Sequence, residues 1–250
     1  MSAAIDTPTR SLTAAPWLCL TLALCACRPA GRVTSEAVTL EVTGLTSFHT
    51  ELVVEEVTGD TLSLSYQTLP ANRPESYGNQ IYLWEATEIP WSAPPLATQP
   101  ITSDGQSGDI TLSGLALTEQ EYIVGYAVGP DVQDICTSTL IDAGTSETIE
   151  LELLSVRSDS LEVRYQLLPG ALPATAESWI GVWPGQASPY NPSALLGCAA
   201  LSTNSTEAAL TLTDLTLAAG ETYTVVYFSG PECSTAATML RFQLAPSPAR

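Results

Sequence analysis

The 250-residue sequence predicts an all-β protein: two tandem antiparallel β-sandwiches behind an N-terminal signal segment. Three observations carry this reading. The chain repeats itself at an offset of 99 residues (165 − 66), its apolar residues alternate with polar ones, and turn-forming pairs punctuate the alternating runs.

The first element is a processing segment, residues 1–26. Arg10 and the α-amino group supply positive charge, and the apolar stretch Leu12 to Ala26 follows. Pro16 and Thr21 interrupt it, and it is too short for a spanning helix but suits the apolar region of an export signal. It ends in Leu24-Cys25-Ala26-Cys27, which resembles the lipobox of bacterial lipoproteins. That resemblance implies that Cys27 is lipidated and becomes the first mature residue. Cys25 fits less well, because Leu24 stands where a small residue is wanted. An ordinary secretory signal or an uncleaved anchor is the plainer alternative. Residues 27–47 then read as a tether, with Ala37 to Val42 as an additional edge strand. Arg28 stands where the family carries an aspartate for inner-membrane retention, so the resemblance favours an outer-membrane or cell-surface address.

The repeat organises the remainder. Leu62-Ser63-Leu64-Ser65-Tyr66-Gln67 matches Leu161-Glu162-Val163-Arg164-Tyr165-Gln166, and the correspondence continues through Ile81/Ile180, Trp84/Trp183, Tyr122/Tyr223 and Gly129-Pro130/Gly230-Pro231. The first copy is placed at 48–142 and the second at 147–246, with Ala143-Gly144-Thr145-Ser146 between them. In both copies apolar Leu, Val and Tyr alternate with Ser, Glu, Arg and Gln, the period of a strand with one face buried. Tyr122, Val124, Tyr126 and Val128 alternate again, as do Tyr223, Val225 and Tyr227. Gly59-Asp60, Ser158-Asp159, Asp104-Gly105 and Gly129-Pro130 mark turns.

Leu217-Ala218-Ala219-Gly220-Glu221-Thr222-Tyr223 resembles the fibronectin type III pattern leading into the sixth strand, and Leu117 and Tyr122 keep part of it. The resemblance implies immunoglobulin- or fibronectin-III-like sandwiches, each with a tyrosine whose hydroxyl bonds back to upstream backbone. Trp84 and Trp183 fall near the core tryptophan of that class. Their phase, however, is opposite to that of Ile81 and Leu83, which places them on a bulge or facing outward.

Composition narrows function. With 27 acidic residues, eight basic residues (all arginine) and a net charge of −19, the surface repels phosphate backbones, and no nucleic-acid partner is expected. Three of the six cysteines lie in the signal region. Of the others, Cys198 and Cys233 fall in one repeat and form the preferred disulfide, a bridge worth roughly 3–4 kcal/mol, leaving Cys136 as a buried free thiol. His49 is the only histidine, no serine occupies a nucleophile-elbow pattern, and no glycine loop has phosphate-cradle spacing, so no enzyme, cofactor or metal centre is expected. Asp131 and Asp134, and Asp104 and Asp109, suggest calcium at two turns, against the plainer reading as turn-formers.

Trp91 and Tyr190, between prolines in equivalent loops, are the candidate ligand-binding residues. Either they stack on a sugar or an apolar partner, or they fold back to cap their own sandwich. The expected function is that of a non-catalytic, lipid-anchored cell-envelope protein acting as a binding or spacer module, its partner a protein or a polysaccharide. Carbohydrate recognition through Trp91 and Tyr190 is the alternative, and a carboxylate-based hydrolase the weaker one.

Overall fold

A computed structural model describes residues 37–246. It is all-β, with sixteen strands among these residues: β1 (Val42–His49), β2 (Glu51–Val57), β3 (Thr61–Gln67), β4 (Gln80–Trp84), β5 (Ala97–Pro100), β6 (Ser107–Ser113), β7 (Ile123–Ala127), β8 (Ile135–Leu140), β9 (Thr145–Thr148), β10 (Glu150–Val156), β11 (Leu161–Gln166), β12 (Trp179–Pro184), β13 (Gly197–Ala200), β14 (Glu207–Leu212), β15 (Thr222–Phe228) and β16 (Ala236–Leu244).

Each repeat is a sandwich of a three-stranded and a larger antiparallel sheet. The first pairs β2-β3-β6 with β5-β4-β7-β8, and the second pairs β10-β11-β14 with β13-β12-β15-β16. This is the strand order of an immunoglobulin/fibronectin-III-like domain, reached twice. Local chemistry repeats with it. Both first strands carry a register shift at the same place, Val54/Glu56 and Leu153/Ser155. In β3, Leu62, Leu64 and Tyr66 are buried, while Ser63 and Ser65 are only partly so, as period two requires. The expected corner is present in both copies. Thr118 N–H donates to the Tyr122 hydroxyl at 2.9 Å, and Ala218 N–H to the Tyr223 hydroxyl at 2.8 Å.

Two features depart from the expected pattern. Strands β7 and β15 alternate in sequence, yet nearly all their residues are buried, so both faces of the sheet are covered. The outer face is covered by the loop that follows β4 or β12. The Trp84 indole donates to Ala93 O at 3.2 Å and the Trp183 indole to Asn191 O at 3.0 Å. On the pleat both tryptophans take the face opposite to their neighbours Leu83 and Val182, and both are buried, Trp84 as part of the larger core cluster and Trp183 in a separate one. In the second repeat this outer face is a separate apolar cluster of Trp179, Trp183, Phe228 and Met239.

The second departure is at the junction. The segment expected to link the repeats is strand β9 from Thr145, and it pairs with β8, closing the first sandwich. An added strand before the first repeat is Val42–His49, which pairs with β16, the last strand of the second sandwich, while within the expected Ala37–Val42 segment Thr39 makes an isolated antiparallel bridge with Arg157 at the edge of β10. Each repeat is therefore completed by the strand that precedes the other one. The chain crosses between sandwiches at Thr50 and again at Ile149, equivalent positions 99 apart (149 − 50) and both buried. One continuous apolar core spans the two copies.

Candidate functional site

The proposed lipidation site, Cys27, and the signal segment lie outside the described residues. Of the candidates that can be placed, Trp91, Tyr190 and Asp134 meet at the junction between the repeats.

Trp91 and Tyr190 sit on the loops after β4 and β12. Prolines 90 and 189 stiffen these loops, and backbone turns such as Ala93 N to Pro90 O (2.8 Å) and Asn191 N to Ser188 O (3.0 Å) fold them back. Neither ring is presented outward. The Trp91 indole donates to Pro169 O of the opposite repeat at 2.7 Å. A Cβ at Gly170, whose φ is +76°, would come within 2.9 Å of that ring, so glycine there provides both the left-handed turn and the room. Tyr190 stacks on Tyr77 of the first repeat, centroids 5.1 Å apart, and its hydroxyl is buried with no hydrogen-bond partner among the described residues. Burial pushes that hydroxyl's pKa well above the usual tyrosine value. The two loops thus make reciprocal contacts, each aromatic seated on the loop following the second strand of the other repeat. The capping alternative describes them better than display does, except that each caps its neighbour instead of its own sandwich.

Asp134 occupies the same junction from another side. It is 5% exposed, in the turn between β7 and β8. It accepts from the Ser229 hydroxyl, at the end of β15, at 3.1 Å and from Asp131 N–H at 3.2 Å. Burial pushes its carboxyl up to about 6, against the opposing pull of those two donors. Gly129 leaves no room for a Cβ beside this carboxylate, and a Cβ at Gly230 would lie 3.1 Å from its Oδ1. The Gly-Pro pairs read as turn signals therefore also let two corners close around one acid.

The other carboxylate candidate is engaged as well. Asp104 takes Ser76 N–H at 2.8 Å, the Ser76 hydroxyl at 2.7 Å and the Arg73 guanidinium at 2.9 and 3.1 Å, and these donors hold it below the ordinary carboxylate range, the Ser76 backbone most of all. Asp109 is exposed on β6. Among the described residues no group of three or more His, Cys, Asp or Glu side chains is placed to hold a metal ion. His49 is exposed at the end of edge strand β1, 3.7 Å from Glu51. Cys136 is fully buried on β8, its thiol within 3.5 Å of Tyr126 O, and burial pushes its pKa up to about 12, which keeps it out of thiolate chemistry. Cys198 and Cys233 belong to one apolar cluster on the outer face of the second repeat. A groove of about 210 Å3 runs beside the junction, with Ile89, Ile123, Leu140 and Pro169 in its wall and Glu88 and Glu147 at its margin.

Sequence reasoning reached Trp91, Tyr190 and Asp134, and Tyr77 as an aromatic that extends either a cap or a binding face, but not the contacts these residues make. Pro169, Gly170 and Ser229 were not singled out, and only Gly170, facing Ala71 in the repeat alignment, hints at a special turn. Nothing in the sequence marked Thr50 and Ile149 as exchange points.

No protein-family model and no curated protein matches the chain. Among solved structures it is similar to the FN1–FN3 domains of chicken CNTN1, with 9% identity, 79% of this chain and 64% of that one covered, and a TM-score of 0.28. It is also similar to the BSP domain of a biofilm-associated protein, with 12% identity, 82% of this chain and 30% of that one covered, and a TM-score of 0.25. The chain thus spans less than two thirds of either structure's own length.

Proposed function

We propose that the chain is a non-catalytic, lipid-anchored envelope protein that presents a fused pair of sandwiches to a binding partner. The observation that favours binder over end-to-end spacer is the position of the fold's two ends. Val42 pairs with Leu244, so chain entry and exit lie side by side and stacking copies in sequence would add little reach. The acidic surface favours a partner that tolerates or carries positive charge, and it disfavours nucleic acid. Carbohydrate stacking on Trp91 and Tyr190 gains no support, since both rings are occupied by the opposite repeat. Hydrolysis by carboxylates gains none either, because Asp104 and Asp134 serve as hydrogen-bond acceptors within the fold.

Anchoring through Cys27 and an outer-membrane or surface address remain part of this proposal, as does a bridge between Cys198 and Cys233. Fatty-acid labelling tests the first: Cys27→Ser abolishes label and releases the protein from membranes, and a variant still labelled refutes the assignment. Alkylation followed by mass spectrometry without reductant tests the second. The bridge leaves one alkylated thiol per mature chain, at Cys136 after unfolding. Cross-linking on intact cells, with the released Cys27→Ser chain as competitor, identifies the partner.

A further inference from the structure

Among the described residues every sheet has two edges, and all but one are guarded against strand addition. Strand β2 carries Glu51, Glu55 and Glu56, β10 carries Glu150 and Glu152, β6 carries Asp109 and β14 carries Glu207. Strands β5, β9 and β13 have four residues each, β5 closing on Pro100 and β9 bearing Glu147. Short length, charge and proline are the usual means of blunting an edge. Strand β1 has none of them. It spans eight residues, it is bonded on one side only, to β16, and Val42 to Phe48 contain neither proline nor a charged side chain. Thr43 through Ser47 are all exposed, and Leu45, at 56%, is among the most exposed large apolar residues described. The register with β16 is unbroken from Gly44 to His49, so that stretch offers a regular row of unpaired backbone groups, while the irregularity at Val42/Gly44 ends it.

We propose that this edge pairs antiparallel with the β1 edge of a second copy, joining two five-stranded sheets across a two-fold axis. Two observations select that occupant. Antiparallel pairing of identical strands is self-complementary, because each residue facing across the axis meets its equivalent in reverse order. The net charge of −19 opposes approach of two copies almost everywhere else, and the uncharged strip of β1 is where that opposition is least. A cationic partner would be drawn to the acidic surface instead. A single strand pair is smaller than a standard stable interface, so association is weak in dilute solution and grows where copies are concentrated, up to about millimolar when tethered together.

The test uses residues 27–250 carrying Cys27→Ser, in sedimentation from about 10 μM to about 1 mM, the range that tethering reaches. The starting protein shifts from monomer to dimer with concentration. Leu45→Lys/Ser47→Lys shifts the midpoint upward at least about tenfold, a change of about 1.4 kcal/mol, with an unchanged melting temperature, whereas Leu154→Lys, at an exposed apolar site on β10, leaves dimerisation intact. Cysteines placed singly at Leu45, Thr46 and Ser47 cross-link the dimer, and one at Leu154 does not. A protein monomeric at every concentration overturns the proposal. So does a dimer indifferent to the lysines, or an edge occupied in cells by a strand from a different protein.

Discussion

The two repeats share a strand order but finish their outer faces differently. In the second, Trp179 and Phe228 stack with centroids 3.9 Å apart, and Trp183 tilts against Phe228 at 5.6 Å. The equivalent positions in the first repeat are Gln80 and Ala127, and Gln80 donates to Pro130 O at 3.1 Å, beside Tyr82, which bonds the same carbonyl at 2.6 Å. The second copy seals its outer face with a larger aromatic cluster, whereas the first combines the stacked Tyr82–Trp84 pair with hydrogen bonds to the turn after β7. The finishing strands differ too. Eight-residue β1, with Phe48 under the Arg241 guanidinium at 5.1 Å, closes the second repeat, and four-residue β9 closes the first. Duplication fixed the backbone, and each copy then found its own side chains for the same cover.

The largest effect expected from this contrast is at Phe228. Phe228→Ala gives the second repeat the alanine that the first already has, but among rings shaped around phenylalanine, and it loses about 3–5 kcal/mol in urea unfolding. A loss under about 1 kcal/mol would mean that the aromatic face is dispensable. Next come the reciprocal loops. Trp91→Ala removes a half-buried ring and its bond to Pro169, lowering stability by about 2 kcal/mol. Because the core and both crossovers are shared, unfolding followed by tryptophan fluorescence and by far-ultraviolet dichroism stays a single coincident transition in the wild type. Two separate transitions would show that the repeats are independent.

Asp134 tests the other side of the junction, where the second repeat has Thr235. Its carboxyl titrates near the ordinary carboxylate value when unfolded and at about 6 when folded, so the folded state binds the proton more tightly. Stability from this group is full below the ordinary value and declines by about 3 kcal/mol as pH rises to and through 6. Asp131, Tyr82, Tyr227 and Cys136 are its ionisable neighbours. Urea midpoints between pH 4 and pH 7 register this decline, and Asp134→Asn, which keeps an acceptor for Ser229, flattens it. The smallest effects are at the corners. Tyr122→Phe and Tyr223→Phe each lose about 1 kcal/mol, and equal losses would show that the shorter turn of the first repeat forms as good a corner as the second.

The sandwiches and their corners were legible because period-two burial and the Tyr122/Tyr223 pattern are local signals, written within single strands. The exchange of β1 and β9 was not. The apolar residues of β1, Val42, Leu45 and Phe48, are spaced by three and mark no buried face, and nothing in eight residues names a partner nearly two hundred positions away. Trp91 and Tyr190 were legible as constrained aromatics, because prolines flank them. Their direction depends on Pro169 and Tyr77, residues that only the assembled junction brings near.

The crossover at Thr50 also sets an order of events. Strand β1 is among the first parts of the fold to be synthesised, yet its partner is nearly the last: the Thr238 hydroxyl reaches Phe48 O from 190 residues further on. The first sandwich has all its strands, β2 through β9, once the middle of the chain has emerged, but β1 waits at the front with both edges bare until β16 arrives. While the chain is being made, this leading strand thus stays open to wrong pairing, and closure of the last hairpin is what withdraws it.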